Sequence, residues 1–214
     1  MKTKVKEKLK LPKVKSFETV NFSDEEEWLS ARVGKITGSK KIIGKNGGLL
    51  TDYWQLLVDG LGIVEDSEDA RERGRRLEPD CLERFQKDYK KKVDTSLCMW
   101  VSTENSQMAV SPDGFMGDEE AIECKSLNAK SHLEIYFTQQ IPSEFYYQKL
   151  QYFIINKYLQ TLYFCFYNPN VTMKDFFVIE VKREDIIEEI KYYHDKQIEI
   201  LKDIEQKILM LNNF

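Results

Sequence analysis

Long apolar runs are missing from this 214-residue chain. The longest, Leu162 to Tyr167, falls far short of the roughly 20 positions a membrane-spanning helix requires. No apolar block follows the lysine-rich start as a secretory signal demands, so the expectation is a soluble, unsecreted, cytoplasmic protein with no membrane partner. Glycine and proline are scarce, at 10 and 5 residues, while 42% of positions are hydrophobic, which excludes collagenous, low-complexity and disordered chains. The four cysteines, Cys81, Cys98, Cys124 and Cys165, form no CxxC pair and have no neighbouring histidine, so they do not read as a zinc site. Reduced core thiols are the expectation. His132 and His194, the only two histidines, are too isolated to be proposed as catalytic groups.

What is present is ample apolar material for one domain. The net charge of −4 is unevenly spread: residues 1–17 carry seven Lys against one Glu, which leaves −10 on the rest. This divides the chain into a basic, flexible N-terminal segment, 1–17, and a single domain, 18–214. Such a segment either grips phosphate backbones or is a solvated leader.

Periodicity places the elements. Ser23 with Glu26 fits a capping box before a short helix carrying Trp28, Leu29 and Val33. Gly38, Gly44 and Lys45 do not make a P-loop, because the glycine spacing is one residue too long and Asn46 stands where Ser or Thr is needed. A mobile surface loop is expected over Gly44 to Gly48 and a helix over Asp52 to Leu61. From Ala70 to Lys91, Leu77, Cys81, Leu82, Phe85 and Tyr89 form a buried helical stripe, and Glu78 shares its row. A carboxylate facing inward is either salt-bridged or near a metal.

Period-two patterns then give strands at Leu97 to Val101, Gln107 to Val110 and Ala121 to Lys125, followed by a helix from Ser143 to Leu159. Strands at Leu162 to Tyr167 and Phe176 to Val181 precede one long amphipathic helix from Glu184 onward. The sum is an α/β fold, a sheet with helices on its faces.

The chemistry gathers around Ser111, Pro112, Asp113 and Gly114, with Glu123, Cys124 and Lys125 nine positions further on. Alternation along a strand presents Glu123 and Lys125 on one face and Ile122 and Cys124 on the other. If the turn at Asp118 to Glu120 folds the strands together, Asp113 comes opposite Glu123, and two like charges so close call for a divalent cation such as magnesium. Two carboxylates holding that ion, beside a lysine that offsets charge on a phosphate or orients water, form an apparatus for phosphodiester hydrolysis. Exposed ion pairs on a surface hairpin are the plainer alternative. On the later helix, Gln148 sits in the row Phe145, Tyr152, Ile155, Leu159. There its amide needs either sheet backbone or a metal-bound water and a phosphate oxygen as partners.

In order and spacing these residues resemble the PD-(D/E)xK nucleases, and among them the lambda exonuclease or YqaJ-like viral recombination nucleases. Trp28, Arg32, Gly34, Ile36, Thr37 and Ser39 are similar to the opening block of that family. Gly74 with Glu78 resembles its G-x-x-x-E helix, Ser111 to Gly114 its SPDG, and Glu123 to Lys125 its E-x-K. Gln148 and Tyr152 resemble the Q-x-x-x-Y element of related nucleases, and Tyr163 to Pro169 an aromatic strand ending in Tyr, Asn or Asp, and Pro. The cysteine spacing departs from the iron-sulfur branch.

The resemblance implies a restriction-endonuclease-like core with a central mixed β-sheet flanked by helices. It implies metal ligation by Asp113, Glu123, Glu78 and the main-chain carbonyl of Cys124, with Mg2+ as cofactor and Mn2+ as the alternative. Lys125 would position or activate water and Gln148 would hold Lys125 or the water, although Gln151 competes with Gln148 for the place facing the site. Arg32, Ser39 and Ser111 match positions that bind the 5′-phosphate. The expected function is a Mg-dependent 5′-to-3′ exonuclease acting on the ends of linear double-stranded DNA and leaving 3′ overhangs for recombination. The resemblance adds a single-strand annealing protein as partner, a homotrimer as assembly, and a phage or prophage origin in a bacterial host. The alternatives are an endonuclease on the same fold, or a non-catalytic DNA-binding or assembly subunit.

Overall fold

The structure is a computed structural model that describes residues 15–32, 58, 61, 63 and 68–212. In chain order it begins with β1 (Phe17–Asn21), α1 (Glu25–Ala31) and α2 (Ala70–Tyr89). Strands β2 (Cys98–Ser102), β3 (Ala109–Val110), β4 (Gly114–Met116) and β5 (Glu120–Lys125) follow. Helix α3 (Ala129–Thr138) and helix α4 (Tyr146–Ile155) lead to β6 (Thr161–Tyr167), β7 (Phe176–Lys182) and α5 (Ile187–Asn212).

The strands make two sheets. The first is antiparallel in the order β1-β2-β3, with Phe17 opposite Ser102 and Trp100 opposite Val110. The second is mixed, in the order β4-β5-β6-β7, with β5 and β6 parallel and the outer pairs antiparallel. The aromatic run of β6 is explained by cover on both faces. Leu162, Phe164 and Phe166 enter the main core with α4 residues, while Tyr163 and Cys165 meet Cys81, Leu82 and Phe85 of α2. Helix α2 starts at Asp69, whose carboxylate accepts from Arg71 N–H, and stops at Lys90 in the left-handed conformation.

Several boundaries differ from the sequence expectation, each for a physical reason. The N-cap of α1 is Asp24 rather than Ser23: Asp24 Oδ1 accepts from Glu27 N–H at 2.9 Å, and Glu27 reaches back to Ser23 N–H at 3.2 Å. Strand β1 was not anticipated, and the end of the basic segment is already part of the fold. Ser16 Oγ donates to Ile155 O at 3.1 Å and accepts from Lys157 N–H at 2.6 Å, while Phe17 tilts against Trp100 at 4.8 Å.

Helix α3 was also not anticipated, and it opens on Asn128, which caps Ser131 N–H. The helix expected to reach Leu159 stops at Ile155. Asn156 Oδ1 there accepts from Tyr158 and Leu159 N–H, and buried Arg183 donates to the carbonyls of Phe153, Asn156 and Leu159. These bonds satisfy the helix end without further turns. The expected loop at Gly44 to Gly48 lies outside the described residues, as does all of the expected helix Asp52 to Leu61 except Val58 and Leu61. Among the described residues no helix is long and apolar enough to cross a membrane.

Candidate active site

The site forms where α2, the β3–β4 link, β5 and α4 meet. Gly114 lies opposite Ile122, so Asp113, one step earlier, flanks Glu123 across the hairpin. Asp113 Oδ2 accepts Cys124 N–H at 2.7 Å, which ties the link to β5. The turn between the two strands is closed by Gly117 at φ +63°, a conformation that favours glycine.

Glu123 is only 3% exposed and is held by three donors. Lys125 Nζ lies 2.5 Å from Oε1, Gln148 Nε2 donates to the same oxygen at 2.6 Å, and the Tyr152 hydroxyl donates to Oε2 at 2.6 Å. Short bonds from an ammonium, an amide and a phenol thus fix both oxygens of the carboxylate. Glu123 and Lys125 therefore share one face of β5, while Cys124 packs on the other against Cys81 and Cys165. Burial pushes the Cys124 thiol well above its ordinary range, and the neighbouring Cys81 adds to this, while its place on the opposite face of β5 keeps the side chain away from Glu123. Only its main chain adjoins the site.

Electrostatics distinguish the remaining acids. Burial, then the charge of Glu123, raise Glu78 to about 7, with Lys125 opposing. Burial, then the charges of Glu123 and Glu78, raise Asp113 well above the usual carboxylate range. Burial works against the Lys125 ammonium, yet Glu123 and Asp113 hold it above its ordinary value. Three carboxyl groups thus feel one another and one ammonium, and the charge of Glu123 disfavours ionisation of the other two, a mutual repulsion that a bound cation would relieve. The donors are hard oxygens, which fit magnesium or manganese better than a soft ion. Among the described residues no three His, Cys, Asp or Glu side chains are grouped so that they could hold a metal ion by themselves. Glu123 is engaged by its own donors, so it would have to share an oxygen with the ion.

A cleft of about 300 Å³ opens onto Glu78 and Asp113, with Trp28, Arg75, Ser96 and Pro112 also in its lining. The Arg32 guanidinium lies over the Trp28 ring at 4.5 Å, beside this cleft. Ser111 Oγ is buried and has no hydrogen-bond partner among the described residues. Ser39 lies outside the described residues.

The structure thus brings together Glu78, Asp113, Glu123, Lys125 and Gln148. It separates the two glutamines: Gln151 turns away, its Nε2 on Ala109 O at 3.3 Å and its Oε1 accepting from Gln197 at 2.7 Å. The Tyr152 hydroxyl on Glu123 is a site contact the sequence reading assigned no role. Its position four residues after Gln148, on the same helix row, was the available signal.

Comparison with known proteins accords with this geometry. The family profile described as YqaJ-like viral recombinase domain matches residues 27–158, a span that includes Glu78, Asp113, Glu123, Lys125 and Gln148. Among solved structures, LHK-Exo in complex with dAMP superposes with a TM-score of 0.61 at 26% identity, covering 86% of this chain and 100% of that one. An alkaline exonuclease (LHK-Exo) from Laribacter hongkongensis gives 0.59 at 25% identity with the same coverage. A search of curated proteins finds no match. The mixed sheet flanked by helices is the PD-(D/E)xK nuclease fold.

Proposed function

The chain belongs to the YqaJ-like viral recombinase domain family and is a nuclease, and we propose that it is a magnesium-dependent exonuclease digesting linear duplex DNA from the 5′ end. The observation that carries this reading is the meeting of Glu78 and Asp113 at one cleft with the Glu123–Lys125 pair beside them, the first two acids raised by burial and by the charge of Glu123. Glu78, Asp113, Glu123 and the Cys124 carbonyl would hold the ion. Bound there, the ion supplies Lewis-acid polarisation of the scissile phosphate and a more acidic water.

The remaining chemistry belongs to the chain. Lys125 brings a fixed positive charge to where the phosphate accumulates negative charge, and its ammonium orients the attacking water. Gln148 and Tyr152 hold both oxygens of Glu123, so the carboxylate is placed before substrate arrives. Arg32, Ser39 and Ser111 would bind the terminal 5′-phosphate, and Arg offers the planar fork suited to it. The unpartnered Ser111 Oγ supports this role, since a phosphate oxygen would satisfy it. Anchoring that phosphate sets the scissile bond one nucleotide inward, which gives mononucleotide release and 5′-to-3′ polarity. The 3′ overhang left behind is a substrate for a single-strand annealing protein, and a trimer around the duplex would make digestion processive.

The test is incubation with Mg2+ or EDTA and end-labelled linear duplexes carrying a 5′-phosphate or a 5′-hydroxyl, beside a closed circle of the same sequence. Mononucleotides released from the phosphorylated 5′ ends in Mg2+ alone are expected. Cutting of the circle would replace the exonuclease by an endonuclease, and inertness on all three would leave a binding or assembly role.

A further inference from the structure

Phe145, Gln148 and Tyr152 follow one another at intervals of three and four, which stacks them in one row where α4 meets β5. Two of the three hold Glu123. The third has a different target: the Phe145 ring centroid lies 4.6 Å from Lys125 Nζ. The ammonium therefore sits between the Glu123 carboxylate at 2.5 Å and an aromatic ring. Phe145 closes the 3-10 turn Ser143–Phe145 and stands at the N-cap of α4, where it makes no side-chain capping bond. The 3-10 turn runs directly into α4 with Phe145 already in the helical region, so the ring is carried on a regular stretch of backbone.

The ring's contribution follows from its electrostatics. A lysine ammonium carries three donors on a flexible four-carbon stem, and Glu123 accepts one of them. An additional carbonyl or carboxylate would consume a second donor. The ring face attracts the positive charge without accepting a directed hydrogen bond, so donors stay available to water and phosphate. It also takes one side of the ammonium out of solvent and limits the stem's rotamers.

We propose that Phe145 is a positioning residue for Lys125, holding the ammonium by a cation–π contact in the orientation that serves the reacting phosphate. The proposal rests on the reading of Lys125 given under the proposed function. Phe145 also packs against the main core, so the test must separate orientation from packing.

Phe145→Leu keeps an apolar side chain but removes the ring face, and Phe145→Trp restores a ring. In metal-free protein with 13C-labelled lysine, the Lys125 ε-methylene signal, identified by its loss in Lys125→Ala, should lie upfield of the other lysines through the ring current. It should return to the common position in Phe145→Leu and stay shifted in Phe145→Trp. In cleavage assays with the Mg2+-loaded protein, Phe145→Leu should lower kcat by about 2- to 30-fold, the cation–π range, with KM unchanged, and Phe145→Trp should recover it. An unshifted Lys125 signal in the wild type overturns the contact. A normal kcat for Phe145→Leu overturns the role, as does an equal loss in Phe145→Trp. A wild type inert on DNA removes the nuclease reading and the role with it, and in that case the NMR contact persists.

Discussion

Gly114→Ala tests whether the close approach of β4 to α2 sets the site. A Cβ at Gly114 would meet Val93 Cγ1 at 2.6 Å and Leu82 Cδ2 at 3.1 Å, against the roughly 3.5–4.0 Å of a normal carbon contact. Gly114 has no left-handed φ, so the cost is contact rather than backbone strain. Val93 cannot yield freely: it is buried with Cys81, Leu82 and Phe85, and the next residue, Asp94, exchanges both backbone hydrogen bonds with Phe115. Overpacking of this kind costs about 1–3 kcal/mol. For a domain of this size that lowers Tm by about 2–12 °C. Because Asp113 precedes Gly114 and Glu78 lies one turn before Leu82, pushing β4 off α2 separates the two acids, and an error of about 1 Å at such a site can cost about 100-fold in rate. Calorimetry and cleavage kinetics on Gly114→Ala, Val93→Ala and the double variant check this. The double variant should be more stable than the sum of the singles, since Val93→Ala removes the clashing methyl group. An unchanged Tm for Gly114→Ala, or simple additivity in the double variant, would refute the reasoning.

Three other outcomes follow from the site. Lys125→Ala should lower cleavage by at least about 100-fold while duplex binding, read by fluorescence anisotropy, persists; undiminished cleavage would remove Lys125 from the chemistry. Arg32→Ala should narrow the rate ratio between 5′-phosphorylated and 5′-hydroxyl duplexes, and an unaltered ratio would sink the phosphate pocket. In metal-free protein Glu78 at about 7 and Asp113 above its ordinary range keep protons that the unfolded chain has released, so the folded state binds more of them. Stability should therefore fall as pH rises from about 4.5 through 7, by about 1.4 kcal/mol per pH unit for each proton retained. On the proposed ligand set magnesium would compete with those protons, so its effect on Tm should be small at pH 5 and grow toward pH 8. Thermal scans with Mg2+ and with EDTA decide this, and a Tm indifferent to Mg2+ at pH 8 would contradict the ligand set.

Legibility in the sequence tracked how local the determining physics was. The Glu123 and Lys125 pairing on one face follows from strand alternation alone, and β6 was visible because a strand covered on both faces reads as an unbroken apolar run. Strand β1 was not, since four of its five residues are exposed and its one anchor, Phe17, borders the lysine-rich segment. The end of α4 was misplaced because Arg183, which satisfies its last carbonyls, is 24 to 30 residues away in sequence. The role of Tyr152 on Glu123 likewise spans 29 residues. Such contacts exist only once the sheet is assembled, and no local pattern encodes them.

The two glutamines of α4 show what that assembly adds. They are three residues apart on one rigid helix, and each is spent on a different strand. Gln148 holds Glu123 on β5, and Gln151 holds Ala109 O on β3, two residues before Ser111. Tyr152 reinforces the first anchor and also lies 3.3 Å from Ser111 O. One helix therefore registers both chain segments that carry the acids, β5 with Glu123 and the β3–β4 link with Asp113. Gln197 of α5 in turn donates to Gln151, which extends the same frame to the C-terminal helix. The spacing of the carboxylates is thus set by bonds from one regular helix to β5 and to the segment leading into the link, which is the condition for presenting two acids at a fixed separation before any ligand arrives.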